Sequence, residues 1–108
     1  MKRGAQRFQL VIQFRGDSLS DFDQMVELED RLSVDFGASA DVDGHDVGSG
    51  ETNIFIFTDD PAATFQTVRR RLEHEGRLNS TAAAHRPVGG EHFTVIWPEG
   101  SAGEFRIA

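Results

Sequence analysis

Cysteine is absent from the 108-residue sequence, which excludes several kinds of chemistry at once. The chain can form no disulfide framework, no thiolate nucleophile and no zinc site with cysteine ligands. Its apolar stretches are also far shorter than the ~20 residues that a helix needs to cross a bilayer. Lys2 and Arg3 precede FQLVIQF, but glutamines interrupt this stretch and no small-residue cleavage site follows, so we predict no signal peptide. We expect a soluble cytoplasmic protein without membrane contact.

Basic residues are nearly missing from the middle of the chain. Between Asp17 and Asp60 the sequence has thirteen acidic residues and one basic residue, Arg31, within a formal net charge of -7. Such a segment disfavours nucleic acid as a partner, because phosphates require cations. It favours a basic protein partner, and the alternative is that the charges only keep the chain soluble.

The composition that remains is that of a globular protein. Hydrophobic residues make up 38% and charged residues 27%, which argues against wholesale disorder. A chain of 108 residues is expected to form one domain. We predict a single domain over residues 1–108, in which residues 98–108 form a tail whose Phe105 and Ile107 can pack back.

Alternation of apolar and polar residues predicts the strands. In RFQLVIQFR, Arg7 to Arg15, one face carries Phe8, Leu10, Ile12 and Phe14 and the other carries Gln9, Val11 and Gln13. TNIFIFT, Thr52 to Thr58, is β-branched and aromatic on both faces, so both faces should be covered. Three further strands are predicted over Ala40–Val47, Ser80–Arg86 and Glu91–Trp97.

Capping and stop signals predict two helices. The first is expected to follow Ser20 as N-cap and to run from Asp21 to Phe36, before Gly37. The second is expected to begin at Pro61 after Asp60 and to end at Glu75. Their apolar stripes are Phe22, Met25, Val26, Leu28, Leu32 and Phe36 in the first helix, and Phe65, Val68 and Leu72 in the second. Glu29 falls within the first stripe, so it must find a partner, reach water or lie at the margin.

The predicted order is βαββαβ with an extra C-terminal strand, which indicates an α+β, ferredoxin-like sandwich with both helices on one face of an antiparallel sheet. The other face would carry Gln9, Val11 and Gln13, with either Phe55 and Phe57 or Ile54 and Ile56 beside them. An apolar stripe of this size is unlikely to be left bare in water. We expect a homodimer through the sheet face or a protein partner on it. Coverage by the C-terminal strands and tail is the alternative.

The segment DVDGHDVGSGETNIFIFTDDP, Asp41 to Pro61, contains the candidate binding residues. It fails the calcium-loop pattern, because Glu51 misses the required position by one residue. Asp41, Asp43 and His45 can instead project from one strand face and, with Glu51 across the hairpin, bind a divalent ion, or they can simply be solvated. Our candidates are Asp43, His45, Asp46, Glu51, Phe55 and Phe57. We predict no bound cofactor and no resident metal.

Catalytic and RNA-binding patterns are weak. No GxSxG motif is present, and His85 and His92 flank the PVGG turn as a cross-strand pair would. FIF on the third strand invites comparison with RNA-recognition domains, but no basic residue flanks it. An enzyme with Glu29 or His92 as the acid–base group in a dimer interface is a minor alternative, and we assign no catalytic residue.

DGHDVGSGETNIFIFTDDP and the later FTVIWP resemble small bacterial proteins of ferredoxin-like type that have no assigned activity. In size, acidity and mixed α/β character the chain is also similar to toxin-immunity proteins and protein regulators of ribonuclease activity, which implies no particular site residues. We therefore predict a non-catalytic, acidic protein-binding or regulatory domain, such as an inhibitor of a basic partner. The alternative is a small-molecule or divalent-metal-binding protein, or an enzyme, that uses the hairpin Asp41–Glu51.

Overall fold

Strands and helices follow one another in the predicted order. The structure is a computed structural model, and it describes residues 8–15, 22–48, 50–100, 105 and 107. Within these residues the elements are β1 (Phe8–Arg15), α1 (Phe22–Phe36), β2 (Ala40–Gly48), β3 (Glu51–Thr58), α2 (Pro61–His74), β4 (Thr81–Pro87) and β5 (Thr94–Trp97). A short 3-10 turn, Leu78–Ser80, leads into β4.

The described helix ends lie within one residue of those that the local sequence signals predicted, since α2 ends at His74 rather than Glu75. The Asp60 side chain caps α2 by accepting a hydrogen bond from the Ala63 N–H at 3.1 Å, and Pro61 is the first helical residue. α1 ends before Gly37, whose φ of 57° lies in the left-handed region that favours glycine. The predicted cap Ser20 lies outside the described residues.

The sheet has the strand order β2-β3-β1-β4-β5, and every neighbouring pair is antiparallel. β1 is therefore central, and β2 and β5 are the edge strands of the described sheet. The predicted α+β class is confirmed. The order is compatible with a ferredoxin-like arrangement in which β5 extends the sheet beyond β4.

One face of the sheet packs against both helices. β1 and β3 contribute Leu10, Ile12, Phe14, Ile54 and Ile56, all buried. The helices contribute Met25, Leu28, Leu32, Phe36, Phe65, Val68 and Leu72, all members of the predicted apolar stripes. Val26, also predicted in the first stripe, is only partly buried and lies outside this core. Since Ile54 and Ile56 face the helices, alternation along β3 places Phe55 and Phe57 on the opposite face. The side chain of Phe22 lies outside the described residues.

The opposite face, called the open face here, is closed at its centre by the chain itself. Its members include Gln9, Val11, Gln13, Asn53, Phe55, Phe57, Ala82, Ala84 and Arg86. Val11 and Ala84 have no exposed surface, and Gln13 and Asn53 are 4% and 1% exposed. The Gln13 amide donates to Asn53 Oδ1 at 3.1 Å and to Glu51 Oε1 at 3.2 Å, so these polar groups are not left unsatisfied.

Residues near the C-terminus contribute to this side of the molecule. The Arg86 guanidinium lies 4.6 Å from the centre of the Phe93 ring, and the Phe93 and Phe105 rings are 5.0 Å apart. The expectation that Phe105 packs back is therefore confirmed. Phe55 and Phe57 remain only partly buried.

Two sequence-based boundaries or registers were wrong. The strand predicted from Glu91 begins only at Thr94, because residues 91–93 have no partner in the described ladder. In β2 the register shifts between Val42 and Gly44, a bulge that the alternating pattern did not reveal. The bulge separates side chains that strict alternation would have placed together.

Candidate functional site

Exposed carboxylates lie along α1 and the edge strand β2. On α1 the residues Asp23, Glu27 and Asp30 follow helical spacing and form one solvent-facing stripe, which continues to Val34. On β2 the exposed acids are Asp43 and Asp46. We call these five acids the acidic edge: Asp23, Glu27, Asp30, Asp43 and Asp46.

A contact between Glu29 and His45 holds the two parts of the acidic edge together. His45 Nδ1 lies 3.2 Å from Glu29 Oε1 and 3.3 Å from Oε2, and the Glu29 side chain is 14% exposed. Glu29 lies within the apolar stripe of α1, and its carboxylate is therefore paired with a side chain of β2. This contact joins α1 to β2 as a structural pair and accounts for both residues without catalysis.

The candidate metal ligands do not converge. His45 pairs with Ile54 and faces the helices, whereas Asp46 pairs with Asn53 and Asp41 with Phe57 on the open face. The prediction that Asp41 and His45 share one strand face is wrong, because the bulge between Val42 and Gly44 reverses the alternation. Within the described ranges, no three histidine or acidic side chains lie close enough to hold a metal ion.

The other predicted binding residues lie on the open face. Glu51 receives the hydrogen bond from Gln13, and Phe55 and Phe57 pair across β1 with Val11 and Gln9. They thus lie on the face of the sheet opposite to that of His45. The six candidates belong to two surfaces rather than to one site.

Acids on the side of α1 that faces α2 are paired with arginines. Arg71 donates to Asp35 through Nε and Nη2, both at 2.9 Å, in a bidentate pair. These hydrogen bonds, opposed by burial and assisted by the charges of Arg71 and Arg70, lower the pKa of Asp35 below its ordinary value of 3.8. The Asp35 carboxylate accordingly contributes stability above that pH, and the contribution is lost as the pH falls through the folded-state pKa.

Arg31, the basic residue within the acidic segment 17–60, is also paired with acidic side chains. Its Nη1 lies 3.3 Å from Glu75 Oε2 and its Nη2 lies 3.4 Å from Glu27 Oε2. By contrast, Asp30, Asp43 and Asp46 form no ion pair with any residue of the described ranges. Among the described acids of α1 and β2, unpaired negative charge therefore lies at Asp30, Asp43 and Asp46.

His85 and His92 do not face each other in the ladder between β4 and β5. His85 is opposite Thr94, not His92, and His92 is exposed ahead of β5. The predicted cross-strand histidine pair is wrong because the ladder between β4 and β5 starts beyond His92. His85 packs edge-on against the Phe8 ring at 5.6 Å, and its Nδ1 is buried without a hydrogen-bond partner in the described part of the chain.

We expect His85→Phe to reduce the pH dependence of stability below pH 6.5. Burial lowers the pKa of His85 from its ordinary 6.5, so the unfolded chain binds the proton more readily than the folded one. The free energy of unfolding should therefore rise with pH between the folded-state pKa and 6.5, and level off above it. Phenylalanine keeps the contact with Phe8 and removes the titration. Urea denaturation across this pH range measures the slope.

His74→Gln is the matched control, since His74 is exposed on α2. Near pH 7 the stability of His85→Phe should be unchanged or higher by up to about 1 kcal/mol, because an unpaired buried nitrogen is removed. An unchanged pH slope in His85→Phe would contradict the assignment of the titration to this residue.

Open-face residues that sequence reasoning missed are Arg86 and Asn53. Arg86 Nε donates to Gln9 Oε1 at 3.0 Å, and Asn53 accepts from Gln13. The alternation of Gln9, Val11 and Gln13 in β1 was the available signal. Two glutamines on a covered face need polar partners on the neighbouring strands.

The described helices include none that is long and apolar enough to span a membrane. Comparison with known proteins found no matching family model, no matching curated protein and no matching solved structure. The candidate surfaces therefore have to be interpreted from their own chemistry.

Proposed function

We propose that this protein is a non-catalytic, ferredoxin-like binding domain whose acidic edge docks a basic protein. The single observation that carries the proposal is the contrast between paired and unpaired acids. Glu29, Asp35 and Glu75 have partners within the chain. The exposed carboxylates of Asp30, Asp43 and Asp46 have none among the described residues.

Exposed carboxylates without counter-charges give the free protein a negative surface potential, and a basic surface neutralises it on binding. Complementary charge of this kind mainly increases the rate of association and the choice of partner. The effect is screened over a Debye length of about 8–10 Å at physiological salt. Binding should therefore be strongly salt-dependent.

The position of these acids on an edge strand supports a surface for docking rather than for sheet extension. β2 has an unpaired outer side in the described sheet, and Asp43 and Asp46 together with the bulge protect it against pairing with a second strand. Two copies of the chain would meet there with like charges. A partner with a basic surface would meet opposite charges there.

An inhibitor or immunity-type role is the form of this proposal that the sequence resemblance supports. The homodimer through the sheet face stays a prediction, and it would rest on Phe55 and Phe57, which are only partly buried. The centre of the open face, around Val11, is already closed by the chain. The cytoplasmic location stays a prediction.

The test compares two variants with equal changes in net charge. Asp30→Asn, Asp43→Asn and Asp46→Asn together remove the three unpaired carboxylates of the acidic edge. Glu73→Gln, Glu91→Gln and Glu99→Gln together neutralise three exposed acids elsewhere. Each protein is used to capture binding proteins from cell lysate at about 50 mM and about 500 mM salt, which separates weak from strong screening.

We expect the wild type and the control variant to retain the same basic protein at low salt, and the acidic-edge variant to lose it. With the purified partner, the association rate should fall about tenfold or more in the acidic-edge variant and much less in the control. Equal loss in both variants would show that net charge alone is responsible. Capture of no salt-sensitive basic protein by the wild type would also argue against the proposal.

A further inference from the structure

A small pocket lies at one end of the open face, away from the acidic edge. Its volume is about 270 Å³, and it is lined by Gln9, Phe57, Arg86, Val88, Gly89 and Gly90. This volume is just below the range of about 300–1,000 Å³ that is usual for ligand sites. Any ligand must therefore be small.

Three neighbouring strands and one tight turn form the pocket. Gln9 on β1 pairs with Phe57 on β3 and with Arg86 on β4, so the three side chains lie side by side. The turn after β4 is closed by a hydrogen bond from the Gly90 N–H to the Pro87 carbonyl at 2.8 Å. Gly89 has a φ of 84°, as the third position of a type II turn requires. The backbone of this turn thus fixes the shape of the rim of the pocket.

Arg86 is held in position before any ligand binds. Its Nε donates to Gln9 Oε1 at 3.0 Å, and its guanidinium lies 4.6 Å from the centre of the Phe93 ring. No carboxylate of the described residues lies within ion-pair distance of it. The two terminal nitrogens of the guanidinium are left to bind an external acceptor. In a chain of net charge -7, such an uncompensated cation beside an apolar ring points to a ligand.

We propose that this pocket binds a small organic carboxylate with an apolar body. The carboxylate would accept hydrogen bonds from the terminal nitrogens of Arg86, and the apolar body would lie against Phe57 and Val88. One guanidinium matches one carboxylate in charge and geometry. A multiply charged phosphate would need more donors and would meet the repulsion of the acidic chain.

Benzoate is the probe, because it combines a single carboxylate with a small apolar ring. The full chain, labelled with ¹⁵N, is titrated with benzoate, with benzamide as the neutral isostere and with acetate, which lacks the ring. We expect saturable shifts of the Val88, Gly89 and Gly90 amides with benzoate. Benzamide and acetate should each bind about tenfold more weakly, since each lacks one of the two interactions.

Variants separate this site from a general effect of charge. Arg86→Gln should weaken benzoate binding about tenfold, whereas Arg70→Gln, an exposed arginine of α2, should leave it unchanged. Val88→Trp adds a bulky ring at an exposed rim position and should block the pocket even if Arg86→Gln fails to fold.

Absence of saturable shifts with benzoate would overturn the proposal. So would equal affinity for benzamide and benzoate, or undiminished binding in both Arg86→Gln and Val88→Trp. None of these results depends on the acidic edge, so the proposed protein-binding function is tested separately.

Discussion

Val11→Asp is expected to lower the free energy of unfolding by about 4 kcal/mol, enough to unfold a marginally stable domain. Val11 lies at the centre of the open face between Phe55 and Ala84, and none of its surface is exposed. Arg86 on the neighbouring strand is already bound to Gln9 and stacked on a ring. A new carboxylate at position 11 must therefore be buried unpaired or break those contacts.

Urea denaturation followed by circular dichroism measures the effect, and Val88→Asp is the control. Val88 is 54% exposed at the rim of the same face, so a carboxylate there remains in water and should cost less than about 0.5 kcal/mol. If the two aspartate variants were equally stable, the centre of the open face would be accessible to solvent. The view that the chain closes this face by itself would then be wrong.

Phe65→Ala should lower the free energy of unfolding by about 3–5 kcal/mol, because it leaves a cavity between α2 and the sheet. Phe65 is 1% exposed, and its ring centre lies 6.1 Å from that of Trp97. Trp97 is the only tryptophan of the sequence, so its fluorescence reports both unfolding and the local change.

Phe65→Leu is the matched variant and should cost clearly less, since it keeps most of the apolar volume. Trp97 fluorescence should shift in Phe65→Ala before unfolding and change little in Phe65→Leu. A cost below about 1 kcal/mol for Phe65→Ala would mean that the contact between α2 and the sheet contributes little to the core.

The helices and the two central hydrophobic strands could be predicted because their signals are local. In α2 the cap Asp60, the following proline and the spacing of Phe65, Val68 and Leu72 all agree on one helix and one buried face. In β1 alternation separates Leu10 and Ile12 from Val11. Each of these patterns is complete within about fifteen residues of chain.

The candidate site was less predictable because it depends on pairing between distant segments. No pattern in the sequence marks the bulge in β2. The bulge nevertheless places His45 on the face of the sheet that the helices cover, where it contacts Glu29. Likewise the pocket at Arg86 needs Gln9, which lies far from it in sequence and opposite it in the ladder. No local pattern records which strands become neighbours.

The α+β class, the two helices with their apolar stripes and the acidic character of the segment that contains α1 and β2 could all be derived from the amino-acid sequence alone. These features follow from periodicity, capping and composition, which act between residues close in the chain. The folded chain was needed to show which acids are paired, which face of β3 carries the phenylalanines and that the centre of the open face is closed. Those outcomes depend on strand register and on contacts between distant residues, because a shift of one position exchanges the two faces of a strand.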